Sequence, residues 1–160
     1  MPGPAQPSCM FETVLIATDG SASAKRAVEA ALDLAERFDA SVHALYVVDA
    51  GEVAASPDEV RDDLERALAT AGGRALTFVR ETADETAEKG DVVTAVREGD
   101  PVDEICRYAD DQGADVVVTG TRGRHDDHGF LLGSVAEGIV RRSGPPVMTV
   151  RQLEGAAAEE

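Results

Sequence analysis

The chain has 160 residues, enough for one domain that buries its own core without disulfides or a structural metal. It carries 31 Asp and Glu against 15 Lys and Arg, a net charge of −16, and such a surface repels nucleic acid and anionic lipid. No apolar run of about eighteen residues occurs, and Met1 to Met10 lacks the basic start and apolar middle of a signal peptide, so no membrane contact and a cytoplasmic location are expected.

Pro2, Pro4 and Pro7 interrupt any strand or helix over residues 1–9, which read as a disordered extension ahead of a domain spanning 10–152. A first strand is predicted from Thr13 to Thr18, followed by a helix from a Ser21 cap to about Phe38. That helix places Ala24, Ala27, Val28, Ala31, Ala35 and Phe38 on one face. A second strand covers Ser41 to Val48. After a loop, Ser56-Pro57-Asp58-Glu59 combines an N-cap, a first-turn proline and a capping-box glutamate, and starts a long helix towards Lys89. Gly72-Gly73 inside it costs about 1 kcal/mol per glycine and marks a possible break. A third strand spans Val92 to Glu98. Asp100 and Pro101 then open a helix with Val102, Ile105, Cys106 and Ala109 on its buried face. A fourth strand is expected from Asp115 to Thr119, a helix from Gly133 to about Arg142, and a fifth strand from Val147 to Arg151. Residues 153–160 form an acidic, alanine-rich tail. Strand alternates with helix throughout, which with right-handed crossovers predicts an α/β fold: one doubly wound, five-stranded parallel sheet with helices on both faces.

The motif that carries chemistry is Gly120-Thr121-Arg122-Gly123, then nine residues, then Gly133-Ser134-Val135. Ala114-Asp115-Val116-Val117-Val118-Thr119 before it has the near-continuous apolar pattern of a strand buried on both faces. Glycines let the backbone take positive φ and let a ligand approach the main chain, so that successive N–H groups can converge on one concave site. Gly133-Ser134 opens an apolar helix, whose unpaired first-turn amides and dipole favour an anion, with the Ser134 hydroxyl as a further donor.

This G-x2-G-x9-G-S spacing, followed by Val135-Ala136-Glu137 and a basic helix end running into Pro146-Val147-Met148-Thr149-Val150, resembles the nucleotide-binding branch of the universal stress protein family. The resemblance extends to Val14-Leu15-Ile16-Ala17-Thr18-Asp19-Gly20-Ser21, to Leu45-Tyr46-Val47-Val48-Asp49 and to Val96-Arg97-Glu98-Gly99-Asp100-Pro101. It implies a flavodoxin-like, adenine nucleotide alpha hydrolase-like strand order of 3-2-1-4-5. In that order the connections after strands 1 and 4 diverge, and a ligand sits at the carboxyl ends of those strands.

Carried onto this sequence, the resemblance puts Ala17, Thr18 and Asp19 on the adenosine side and Val47 in the adenine pocket. Gly120, Gly123, Gly133, Ser134 and Val135 surround the ribose and phosphates, with Thr121, Arg122 and Arg124 in the same set. Position 17 often holds proline in the family; alanine keeps the backbone and a small apolar face. The implied cofactor is ATP, or AMP or ADP, accompanied by Mg²⁺ or Mn²⁺. The implied function is a dimeric stress-response module that acts with an unknown regulatory protein partner. A slow metal-dependent ATPase and an interaction module without nucleotide are the alternatives. The fifth strand, Val147, Met148, Thr149, Val150 and Arg151, is an edge in this order, and the family resemblance points to homodimer pairing along it.

Several residues support more than one role. Asp19 suits both a turn into the first helix and a ribose or metal-water contact, and Arg122 and Arg124 suit both phosphate neutralisation and solvated loop positions. By composition alone Val47 is a core residue. His125-Asp126-Asp127-His128 contains metal-ligating types, but four consecutive residues converge poorly on one ion. His43 reads as structural and Cys106 as a small core residue. No Walker lysine, nucleophile elbow or paired-carboxylate signature is present. The acidic residues are spread along every predicted helix, which fits a high-salt cytoplasm better than a single acidic partner face.

Overall fold

The computed structural model describes residues 11–86, 92–121 and 132–151. The extension 1–9, the tail 153–160, Arg122, Gly123, Arg124 and the segment His125 to His128 lie outside the described residues.

Five strands form one parallel sheet: β1 Thr13–Ala17, β2 Ser41–Asp49, β3 Val92–Gly99, β4 Val116–Gly120 and β5 Val147–Val150. The order is β3-β2-β1-β4-β5, as the resemblance implies. The connecting helices are α1 Ala22–Phe38, α2 Ala50–Ala55, α3 Asp58–Thr86, α4 Pro101–Gln112 and α5 Ser134–Arg142. β1 and β4 are central, and Val14 to Ile16 and Val116 to Val118 are buried on both faces, which is why these strands read as unbroken apolar runs. On one face, Val14, Ile16, Ala44, Tyr46, Val116 and Val118 pack against α1 and α3. On the other, Leu15, Ala17, Leu45 and Val117 pack against Ile105, Tyr108 and Ala109 of α4 and Ile139 of α5.

Local chemistry sets the element boundaries. The Ser21 hydroxyl accepts from the Ala24 amide to start α1, and Asp39, in the left-handed region at φ 52°, ends it by donating its N–H to the Ala35 and Glu36 carbonyls. Asp100 caps α4 through the Asp103 amide, Pro101 occupies its first turn, and Gly113 closes it at φ 64°.

Four expectations change. The loop after β2 contains the short helix α2, capped by the Asp49 carboxylate on the Gly51 and Glu52 amides. α3 runs unbroken through Gly72-Gly73, and a Cβ on Gly72 would lie 2.6 Å from Tyr46 Cδ1, so this glycine lets the helix approach the sheet. Cys106 is half-buried, while Tyr108 takes the core position. Phe38 is more than a third exposed and stacks edge-on against Phe11, with ring centroids 5.1 Å apart.

β5 is a sheet edge. The Pro146 carbonyl accepts from the Val117 amide at 2.9 Å and the Val150 carbonyl from the Thr121 amide at 3.0 Å. Main-chain groups on a strand alternate sides, so the N–H and C=O of Val147 and Thr149 face the open edge, whereas those of Met148 and Val150 face β4.

Candidate functional site

The site forms at the carboxyl ends of β1 and β4, where α1 leaves towards one face of the sheet and α5 towards the other. Ala17 is paired with Leu45 on one side and Thr119 on the other, and its side chain is 6 % exposed. The Thr18 amide donates to the Leu45 carbonyl at 3.1 Å, and the Thr18 hydroxyl accepts from the Gly20 amide at 3.2 Å. Asp19 Oδ1 accepts from the Ser21 amide at 2.9 Å, so the carboxylate does shape the turn into α1. Gly20 takes φ 80°, the left-handed conformation that this turn requires.

Across the crevice, Gly120 ends β4. A Cβ there would sit 2.6 Å from Ser23 Oγ and 2.9 Å from the Ala24 nitrogen, so this glycine serves close packing of α1 against β4. Thr121 is buried; its amide reaches Val150, and its carbonyl accepts the Gly133 amide. That last bond ties the start of α5 to the end of β4, twelve positions back in the chain. Gly133 is the N-cap of α5 and makes no side-chain cap hydrogen bond. Ser21, Asp49 and Asp100, by contrast, each cap their own helix with a side chain. Among the described residues, therefore, no side chain caps the first-turn amides of α5, beside which Ser134 is exposed.

The expectation of positive φ at the site glycines is corrected at two of them. Gly133 has φ −72° and ψ 168°, open to any residue, and Gly120 is not among the positive-φ glycines of the described residues, which are Gly20, Gly99 and Gly113. Val47 is half-buried on the same sheet face as Ala17, against the α4 side of the core. Val135 is 36 % exposed, at the first turn of α5. The structure therefore brings Ala17, Thr18, Asp19, Gly120, Thr121, Gly133, Ser134 and Val135 to one end of the sheet. Ser23, 2 % exposed and hydrogen-bonded to the Val150 carbonyl at 3.1 Å, was not singled out by the sequence. A small polar residue in the first turn of α1, opposite a strand-ending glycine, is its only signal.

Away from this crevice, His43 Nδ1 lies 2.8 Å from the Tyr108 hydroxyl, and the Arg97 guanidinium stands over the Tyr108 ring at 5.4 Å. Burial holds the His43 pKa below its ordinary value and pushes the Tyr108 phenol up, with Arg97 opposing the latter shift. Among the described residues no group of three or more His, Cys, Asp or Glu is arranged to hold a metal ion, and no helix is long and apolar enough to cross a membrane.

A parallel five-stranded sheet with helices on both faces and a switch point between β1 and β4 defines a doubly wound α/β domain. The chain belongs to the universal stress protein family, whose model matches residues 10–151. It is 35 % identical over 144 residues to universal stress protein MJ0531 of Methanocaldococcus jannaschii, covering 89 % of this chain and 84 % of that protein. It is 33 % identical over 146 residues to a universal stress protein of Methanothermobacter thermautotrophicus, covering 90 % and 98 %. Among solved structures it is similar to protein MJ0577 of M. jannaschii, with a TM-score of 0.76, 26 % identity and coverage of 91 % and 99 %. It is also similar to a universal stress protein crystallised in complex with cAMP, with a TM-score of 0.68, 29 % identity and coverage of 88 % and 97 %.

Proposed function

We propose that this protein belongs to the ATP-binding branch of its family and works as a dimeric module that holds intact adenine nucleotide between the ends of β1 and β4. The observation that carries this reading is the start of α5. Gly133 caps the helix without a side-chain bond and is anchored to Thr121, so first-turn amides with no side-chain cap among the described residues meet the end of β4. Gly133, Ser134 and Val135 would hold phosphate, with Gly120 and Thr121 alongside. Arg122, Gly123 and Arg124 complete the phosphate side of the proposal by their positions in the motif.

Thr18, Asp19 and Val47 would meet the nucleoside, Val47 and Ala17 supplying the apolar surface that an adenine ring needs. The relative crystallised with cAMP supports an adenine nucleotide as the ligand class. Mg²⁺ or Mn²⁺ would arrive with the phosphates and neutralise them. The open groups of Val147 and Thr149 support a two-fold dimer along β5, and an unidentified regulatory protein would read the nucleotide-loaded form. The net charge of −16 supports a working environment of high salt in the cytoplasm of a halophile.

Mass spectrometry of nucleotide released by denaturing freshly purified protein tests the reading. ATP, ADP or AMP at a substantial fraction of one per chain is expected. Protein that carries none, and takes up none on incubation with millimolar ATP and Mg²⁺, contradicts it.

A further inference from the structure

We propose that nucleotide occupancy at α5 and pairing along the free edge of β5 are thermodynamically coupled, and that Ser23 is a positioning residue joining the two. The inference rests on the nucleotide and dimer reading above. Its starting observation is the Val150 carbonyl, at the last residue of the edge strand, which accepts from the Thr121 amide at 3.0 Å and from the buried Ser23 hydroxyl at 3.1 Å. One turn further along α1, Arg26 Nη1 donates to the Arg151 carbonyl. The end of β5 is therefore clamped by the first turns of α1, which follow directly on the Asp19–Ser21 turn at the nucleoside side.

From the same node the path continues to the anion site. Thr121, whose amide holds Val150, uses its carbonyl to hold the Gly133 amide at the start of α5. Ser23 has no slack, since the place where a Cβ on Gly120 would stand is 2.6 Å from its Oγ. A bound phosphate requires the Gly133 and Ser134 backbone to be fixed, and a partner strand requires the backbone around Thr149 to be fixed. Both requirements are met by the same hydrogen bonds at Val150 and Thr121. Whichever ligand binds first bears the entropy of ordering them and the second bears less, which makes the coupling positive and reciprocal.

Sedimentation equilibrium of the full chain in molar KCl, with and without ATP and Mg²⁺, measures the coupling. The wild-type dimer constant is expected to tighten about fivefold or more with ATP. ATP affinity per site, measured above and below the dimer constant, is expected to change by about the square root of that factor, because each dimer binds two ATP. Ser23→Ala keeps the Thr121 bond to Val150; it is expected to bind ATP and to dimerise, but with the ratio reduced to below about twofold. A merely structural role for Ser23 would shift both dimer constants together and leave the ratio intact, and that result overturns its assignment. If Ser23→Ala does not fold, Arg26→Ala, which releases the neighbouring Arg151 carbonyl, should show the same reduction. A wild type that binds ATP and dimerises with an unchanged dimer constant overturns the coupling alone. A wild type that binds no ATP, or stays monomeric at every concentration, overturns the functional reading and the coupling with it.

Discussion

His43 illustrates how a single half-buried side chain links packing to pH. Its ring meets the Tyr108 hydroxyl at 2.8 Å on the α4 side of the sheet, and burial disfavours its charged form, so its pKa in the folded chain lies below the ordinary 6.5. As pH falls through about 6.5 the unfolded chain binds the proton first, and the folded state loses stability until the pH drops below the folded pKa. Urea denaturation at pH 7.5 and 5.5 should therefore show a larger loss for the wild type than for His43→Gln. Equal losses, or a larger one in the variant, would show that His43 is not held neutral by the fold. The same scale explains the glycines of the site, which look alike in sequence. Gly20 supplies a positive φ, Gly120 gives room for α1, and Gly133 supplies a cap without a side chain. Only the first of these is a conformational requirement.

α3 makes the parallel point for an element. Adjacent glycines in a 29-residue helix read as a weak spot, yet they have opposite surroundings: Gly72 lies against the Tyr46 ring, and Gly73 has nothing within 4 Å of a Cβ. Gly73→Ala should stabilise the protein by about 1 kcal/mol through helix propensity. Gly72→Ala should destabilise it by about 1–3 kcal/mol, because the fully buried Tyr46 cannot yield without disturbing the core. Equilibrium urea curves of the two variants would decide; shifts of the same sign would refute the packing argument. Element types were legible because caps, prolines and apolar runs are local signals, whereas the sheet order came from the family resemblance. Ser21, Asp100-Pro101 and the Val116–Val118 run each mark their element directly. α2 was not legible, since six residues carry too little periodicity, and Gly72 was misread because the Tyr46 ring that faces it comes from β2. For the site, the motif located Gly120, Thr121 and Gly133 at the sheet end, but the link through Ser23 to Val150 joins positions 127 apart and leaves no local pattern.

Over the whole molecule the dominant quantity is charge. The ion pairs Arg37 with Asp33 and Arg141 with Glu137 join side chains more than half exposed and contribute at most about 1 kcal/mol each. Carboxylates outnumber basic residues by 16, so most of the repulsion is left for solvent ions to screen. The melting temperature should rise by at least about 5 °C between 0.1 M and 2 M KCl, equivalent to about 2 kcal/mol for a domain of this size. A melting temperature independent of salt would point instead to an acidic face reserved for a partner.

The central claim is that the amides at the start of α5 hold the phosphates of an adenine nucleotide, and calorimetric titration of ATP with Mg²⁺ into nucleotide-free wild type and Gly133→Val tests it most directly. The backbone at Gly133, with φ −72°, accepts valine without left-handed strain, so the variant should fold with a cap penalty of about 1 kcal/mol. Its branched side chain would crowd the amides that the phosphate needs. The account predicts saturable binding near one ATP per wild-type chain and at least about tenfold weaker binding to the variant, about 1.4 kcal/mol. A folded variant with wild-type affinity, or a wild type that binds no ATP, would contradict it.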